Sequence, residues 1–279
     1  MDAASKKQLE IIATKIRMAV IEGTYNAKCG HPGGSLSIAD DLAYLYFEGM
    51  NIDPTNPQWE DRDRLVLSKG HAAPALYGAL ALRGYFPLEW IPTLRKSSSA
   101  LQGHPDMKGV PGVDMSTGSL GQGVSAAAGM ALAGKLDHKS YRVYAILGDG
   151  EIGEGQVWEA AMFASAKGLN NLTIIVDNNN LQIDGTVEEV NSPYPIAEKF
   201  AAFGFNVIEI DGNDIEQIAA AVQQSKTADK PTAIVQKTLK GKGVSFMENQ
   251  CSWHGAAPNK EQYDAAMAEL TARLQELEG

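Results

Sequence analysis

The sequence predicts an α/β fold, a doubly wound parallel sheet with helices on both faces. Apolar, β-branched runs of strand length stand at Val143–Leu147, Leu172–Val176, Val207–Ile210 and Thr232–Val235. They read as strands buried on both faces, as in parallel sheets. Amphipathic stretches of helical length separate them, the alternation that builds such a sheet. A glycine-rich turn, Gly148-Asp149-Gly150-Glu151-Ile152-Gly153, follows the first run and opens a helix through Trp158, Met162 and Phe163. It lies where these folds bind ligands, beyond the carboxyl ends of the strands.

In chain order, a helix over 5–27 places Leu9, Ile12, Ala13, Ile16 and Val20 on one face. A loop, Cys29-Gly30-His31-Pro32-Gly33-Gly34, leads to a helix through Ile38, Leu42, Leu45 and Tyr46, and Pro54 and Pro57 punctuate the next segment. The short strand Arg64–Leu67 ends at Ser68-Lys69-Gly70-His71, before a helix over 72–83. Between Lys96 and Gly123 many Gly, Ser and Pro occur without periodicity, a length that compact domains keep where a loop is functional. Met267, Leu270 and Leu274 give the tail from Asn259 a terminal helix. At about 150 residues per domain, 279 residues admit one large domain or two small ones. We read 1–279 as one domain, helical and loop-rich over 1–140 and regularly α/β over 141–279.

The charge balance, 24 − 34 = −10, with pI near 5.0, opposes nucleic acid and anionic lipid as partners. Cys29 and Cys251 make neither a disulfide framework nor a Cys-x-x-Cys metal pair, which suits a reducing cytoplasm. Charges interrupt every apolar stretch, so neither a signal-peptide core nor a membrane span is expected.

The turn after the first regular strand matches G-x-G-x-x-G, whose backbone N–H groups cradle a pyrophosphate. Asp177 ends the next strand, where a nicotinamide cofactor's ribose would be bound, so a dehydrogenase is one reading. Against it, a carboxylate at Asp149 would repel a diphosphate unless a cation lay between them. Asp177-Asn178-Asn179-Asn180-Leu181 then offers an amide oxygen and a main-chain carbonyl. With Asp149, two diphosphate oxygens and a water these make six hard oxygen ligands, which suits magnesium, calcium or manganese. The plain structural alternative is a glycine turn, with the asparagines capping the next helix or turn. His31, His71, His104 and His254 each adjoin a glycine in loop-like text, and His138 stands at a helix end, where a cation is favoured.

The strings GDGEIGEGQVWEA and IIVDNNNLQIDG, with GHPGG, KGHA, GHPD and STGSLGQG, resemble the transketolase family over essentially the whole chain. The resemblance implies a thiamine-diphosphate-binding fold and transfer of a two-carbon ketol unit from a ketose phosphate to an aldose phosphate. It further implies metal ligation by Asp149, Asn179 and the Leu181 carbonyl, with the Gly150 N–H on the diphosphate. Ile183 and Leu120 would meet the thiazolium, Gly118 the cofactor, and His71 and His254 the diphosphate. His31 and His254 would move protons near the reacting carbon, and His104 would bind a donor-sugar hydroxyl. Glu154 and Glu159 match a pair at the family's dimer interface that links two cofactor sites; otherwise they are carboxylates at a positive helix end.

Three departures stand out. The loop Lys237-Thr238-Leu239-Lys240-Gly241-Lys242-Gly243-Val244 is more basic than in many full-length members, and is either a solvated turn or an anion-binding loop. Such members also carry a further histidine shortly before the position of His254. Transketolases are longer, with a domain that binds the aminopyrimidine ring and supplies its activating glutamate. The chain thus resembles the N-terminal subunit of a split transketolase, needing a C-terminal subunit with the pyrimidine-binding domain, two copies of each, and inactive alone. The alternatives are another thiamine-diphosphate enzyme (deoxyxylulose-phosphate synthase or the first component of a 2-oxo acid dehydrogenase) or a non-catalytic cofactor-binding subunit.

Overall fold

The computed structural model describes all residues from Met1 to Gly279. Its centre is a five-stranded parallel sheet in the order β1-β2-β3-β5-β4, formed by Arg64–Leu67, Val143–Gly148, Leu172–Asn178, Asn206–Asp211 and Thr232–Lys237 as β1 to β5. All four regular runs are strands. The short run 64–67 joins the same sheet at the β2 edge, pairing Leu65 with Tyr144 and Leu67 with Ile146.

Ten helices surround the sheet: α1 Ala3–Ala27, α2 Pro32–Leu36, α3 Ala39–Tyr44, α4 Ala73–Arg83, α5 Gln122–Leu136, α6 Gly155–Ala166, α7 Val187–Asn191, α8 Ile196–Ala202, α9 Ile215–Thr227 and α10 Lys260–Glu278. Their ends carry local signals. Asp2 caps α1 by accepting from Ser5 N at 2.8 Å, Asp214 caps α9, and Asn259 and Gln262 form a reciprocal capping box on α10. One expectation is corrected. The segment read as a glycine loop over Cys29–Gly34 turns helical at Pro32, and buried Gly33 and Gly34 belong to α2. Proline suits the first helical position, and a Cβ on Gly33 would lie 2.9 Å from the Trp253 carbonyl, so close packing outweighs glycine's poor helix propensity.

The period of two along each strand divides the core. Leu65, Leu67, Tyr144, Ile146, Ile175 and Ile234 face one side with α1, α3, α4 and α9. Val66, Val143, Ala145, Leu147, Ile174, Val176 and Val235 face the other with α5, α6 and α8. By the right-handed rule for parallel crossovers, the connection from β2 to β3 carries α6 on the second face. The step from β4 back to β5 runs the other way, so α9 lies on the first. β1 likewise leads into α4 on the first face and β2 into α6 on the second, so a crevice opens between their carboxyl ends. No helix is long and apolar enough to cross a membrane.

Candidate functional site

Four segments converge on that crevice: the β1 end (Ser68–His71), the β2 turn (Gly148–Glu151), the β3 end (Asn178–Ile183) and the loop carrying Lys240 and His254. With His31 from the approach to α2 and residues 104–120, they line a cavity of about 210 Å³. His31, His71, His104, Gly118, Leu120, Asp149, Gly150, Asn179, Leu181, Ile183 and His254 all line it. Every nominated site residue is therefore brought to one place. His138 is elsewhere, exposed in the left-handed position after α5. A larger open groove of about 1020 Å³ lies beyond β3, β5 and β4; Asn179 borders it as well, but none of the histidines does.

The loops approach closely because side chains are missing where they cross. A Cβ on Gly70 would lie 2.7 Å from both Gly118 N and Thr117 Oγ1. Gly118 itself has φ of 153° beneath the His104 ring, a backbone region glycine enters freely. Thr117 Oγ1 donates to the Leu67 carbonyl at 2.7 Å, and Tyr77 OH donates to the His104 carbonyl at 2.9 Å. Glu151, 2% exposed, accepts from Gly148 N, Gly121 N and Ser68 Oγ, tying three loops together.

Three imidazoles pack as a cluster, with ring centroids 5.2 Å apart for His31 and His71, 5.4 Å for His31 and His254, and 5.2 Å for His71 and His254. Burial, then the nearby Lys69 ammonium, pushes His71 down to about 2. Burial and Lys240 push His254 down to about 3. His31 and His104 are lowered too, chiefly by burial. The rings are neutral at pH 7, and the buried Nδ1 of His31 has no partner. Lys240, 2% exposed, reaches the Leu181 carbonyl at 2.9 Å and His254 Nδ1 at 3.1 Å. Burial and Lys69 lower its ammonium to about 8.

Asp149 is 3% exposed. Its Oδ1 accepts from Gly150 N at 2.8 Å and its Oδ2 from Asn180 N at 2.6 Å. Burial first, then the Asp177 charge, raises its carboxyl to about 7. The Gly150 N–H, which the family resemblance assigns to a diphosphate, is here turned to Asp149. These residues fit a divalent ion and an anion held together. A buried carboxylate without a cation on it lies beside an amide oxygen and a carbonyl that already faces an ammonium, all hard oxygen donors.

The nicotinamide reading fails on Asp177. It is 0% exposed and fully engaged by Lys69, Ser37, Thr238 and Asn179, so no ribose reaches it. A 3-10 turn, Glu151–Gly153, also separates the glycine turn from α6. Sequence reasoning did not nominate Lys69, Gly34, Glu151 or Gln182 as lining residues. Lys69 had a signal, a lysine closing an apolar strand beside Gly70-His71; Gln182 had none. Glu154 and Glu159 are both exposed.

A crevice at the strand switch, lined by the buried Asp149 carboxylate, hard oxygen donors and neutral imidazoles, marks an α/β protein of the cofactor-binding class. The family model described as transketolase, thiamine diphosphate binding domain, matches residues 8–274, and the chain belongs to the transketolase family as its thiamine-diphosphate-binding part. It is 50% identical to the 6-deoxy-6-sulfo-D-fructose transketolase subunit SqwG of Clostridium sp. (strain MSTE9), covering 95% of this chain and 98% of that one. It is 43% identical to an apulose-4-phosphate transketolase subunit of Phocaeicola vulgatus, over 97% and 96% of the two chains. The transketolase structure from Campylobacter jejuni superposes with a TM-score of 0.88 at 33% identity, over 97% of this chain and 43% of that one.

Proposed function

We propose that this chain is the diphosphate-binding half of a two-chain transketolase that moves a two-carbon ketol unit from a ketose phosphate to an aldose phosphate. The observation that carries it is the single cavity holding Asp149, Asn179, Leu181 and the four glycine-flanked histidines. Its 210 Å³ is below the roughly 300–1000 Å³ of complete small-molecule sites. Leu120 and Ile183 at its edge are 36% and 67% exposed. Both features suit a site that a second chain completes with its pyrimidine-binding domain. SqwG and the apulose-4-phosphate relatives are themselves named as subunits, which supports a partner chain. Two copies of each chain, in the cytoplasm, is the working arrangement.

Thiamine diphosphate, when bound, supplies the carbanion chemistry. Asp149, Asn179 and the Leu181 carbonyl hold the divalent ion, magnesium first, with calcium or manganese as substitutes. Gly150 N–H, His71, His254 and Lys240 hold the cofactor's anionic end, with Gly118 also against the cofactor, which requires the Lys240 ammonium to turn from Leu181 and the Gly150 N–H from Asp149. Leu120 and Ile183 present an apolar face to the thiazolium. His31 and His254 each keep an unprotonated ring nitrogen and move protons at the reacting carbon, a role that needs the bound anion to offset the Lys240 charge that, after burial, holds His254 low, and His104 orients a donor hydroxyl. Ketol exchange assayed with the purified chain, with and without its partner subunit, tests the reading. Turnover is expected with both chains, and vigorous exchange by this chain alone would overturn it.

A further inference from the structure

Asp177 has four partners drawn from four segments. Its Oδ2 accepts from Lys69 Nζ at 2.5 Å, Ser37 Oγ at 2.8 Å and Asn179 Nδ2 at 2.9 Å, and its Oδ1 accepts from Thr238 Oγ1. It is wholly buried, ion-paired with the Lys69 ammonium, and every side chain that meets it is a donor. An ionised carboxylate only accepts hydrogen bonds. The side of the Asn179 amide facing Asp177 is therefore the NH₂ group, while Oδ1 is turned the other way, where Leu181 N donates to it at 3.1 Å. Reversing the amide would set its oxygen against the Asp177 carboxylate and its NH₂ against the Leu181 N–H, two unfavourable contacts in place of two hydrogen bonds.

We infer that Asp177 is a positioning residue that fixes the polarity of the Asn179 amide, so that this side chain presents oxygen and never nitrogen to the divalent ion. The inference rests on the metal site proposed above. It explains why a charged group is kept at the end of β3 where no ligand reaches it: an amide or hydroxyl there would accept and donate alike and leave Asn179 free to flip. Lys69, which also donates to the Gly34 carbonyl at 2.7 Å, supplies the charge that keeps Asp177 acceptor-only.

The test is Mn²⁺ binding followed by electron paramagnetic resonance, with thiamine diphosphate present, on this chain assembled with its partner subunit. Asp177→Asn is expected to weaken Mn²⁺ binding about 10- to 100-fold, the usual cost of losing a group that orients a metal ligand. Ser37→Ala, which removes a bond to Asp177 without changing what faces Asn179, is expected to lower the melting temperature while leaving Mn²⁺ affinity within about twofold. The exchange Asp177→Asn with Asn179→Asp keeps the buried charge and gives the metal a carboxylate whose two oxygens are equivalent. Its Mn²⁺ affinity is expected to fall no more than about threefold below that of the native complex, and it decides the matter if Asp177→Asn alone does not fold. Equal weakening by Ser37→Ala and Asp177→Asn, or an exchanged variant that folds without binding Mn²⁺, would overturn the inference. A native complex that binds no Mn²⁺ would instead refute the metal site.

Discussion

Asp149 carries, at the scale of one residue, the proposal that a cation occupies the site. Burial and the Asp177 charge hold its carboxyl near 7, so its charge is costly until a metal or ammonium offsets it. Asp149→Ala in the assembled complex is expected to lower affinity for metal and thiamine diphosphate at least about 100-fold, read by calorimetry, because the anionic ligand is lost. Unchanged affinity would remove Asp149 from the metal site. Lys240→Met is expected to weaken diphosphate binding by about 1.5–3 kcal/mol, the value of a hydrogen bond to a charged group.

The histidines give a pH signature. Since the fold holds His71 near 2 and His254 near 3, the unfolded chain takes up their protons first as pH falls. Their stability contribution is therefore present above the ordinary 6.5 and drains as pH falls toward those values. Asp149 has the opposite sign, contributing below the ordinary 3.8 and losing it as pH rises through about 7. Ring resonances of the cofactor-free chain are the direct measurement: those of His71 and His254 are expected not to titrate between pH 5 and 8. Two rings titrating near 6.5 would contradict the geometry.

At the scale of elements, the strands were legible because burial on both faces leaves uninterrupted β-branched runs, as at Leu172–Val176, and because the glycine turn follows one of them directly. The helix at Pro32–Leu36 was not, since two glycines read locally as a loop and only the close contact of Gly33 with Trp253 and Lys240 explains the first of them. The site histidines could be nominated from their glycine neighbours, and the roles given to them came from the family resemblance. Lys69 carried only a local signal and Gln182 none, because what brings both to the cavity is β1, β2 and β3 lying side by side. The same crossing yields a prediction. Gly70→Ala places a methyl about 2.7 Å from the 117–118 backbone and side chain, and is expected to cost about 1–3 kcal/mol of stability, as overpacking does. Denaturant unfolding checks it, and an unchanged midpoint would mean that the two loops separate freely.

For the whole molecule, the fold leaves the cavity open on one side. The cavity's polar floor is complete, with carboxylate, amide, carbonyl, ammonium and imidazoles in place, while its apolar edge at Leu120 and Ile183 remains exposed. Glu154 and Glu159 lie exposed at the start of α6, and the proposed assembly puts them at an interface between chains. Glu154→Gln is expected to alter the association of the chains or cofactor-dependent activity, and no change in either would remove the pair from the interface. The central claim, a half-site completed by a second chain, is tested most directly by native mass spectrometry of the tagged chain purified from its own source. The expected species contains a second chain, thiamine diphosphate and a divalent ion, whereas a lone homodimer that takes up neither after thiamine diphosphate and magnesium are added would contradict the account.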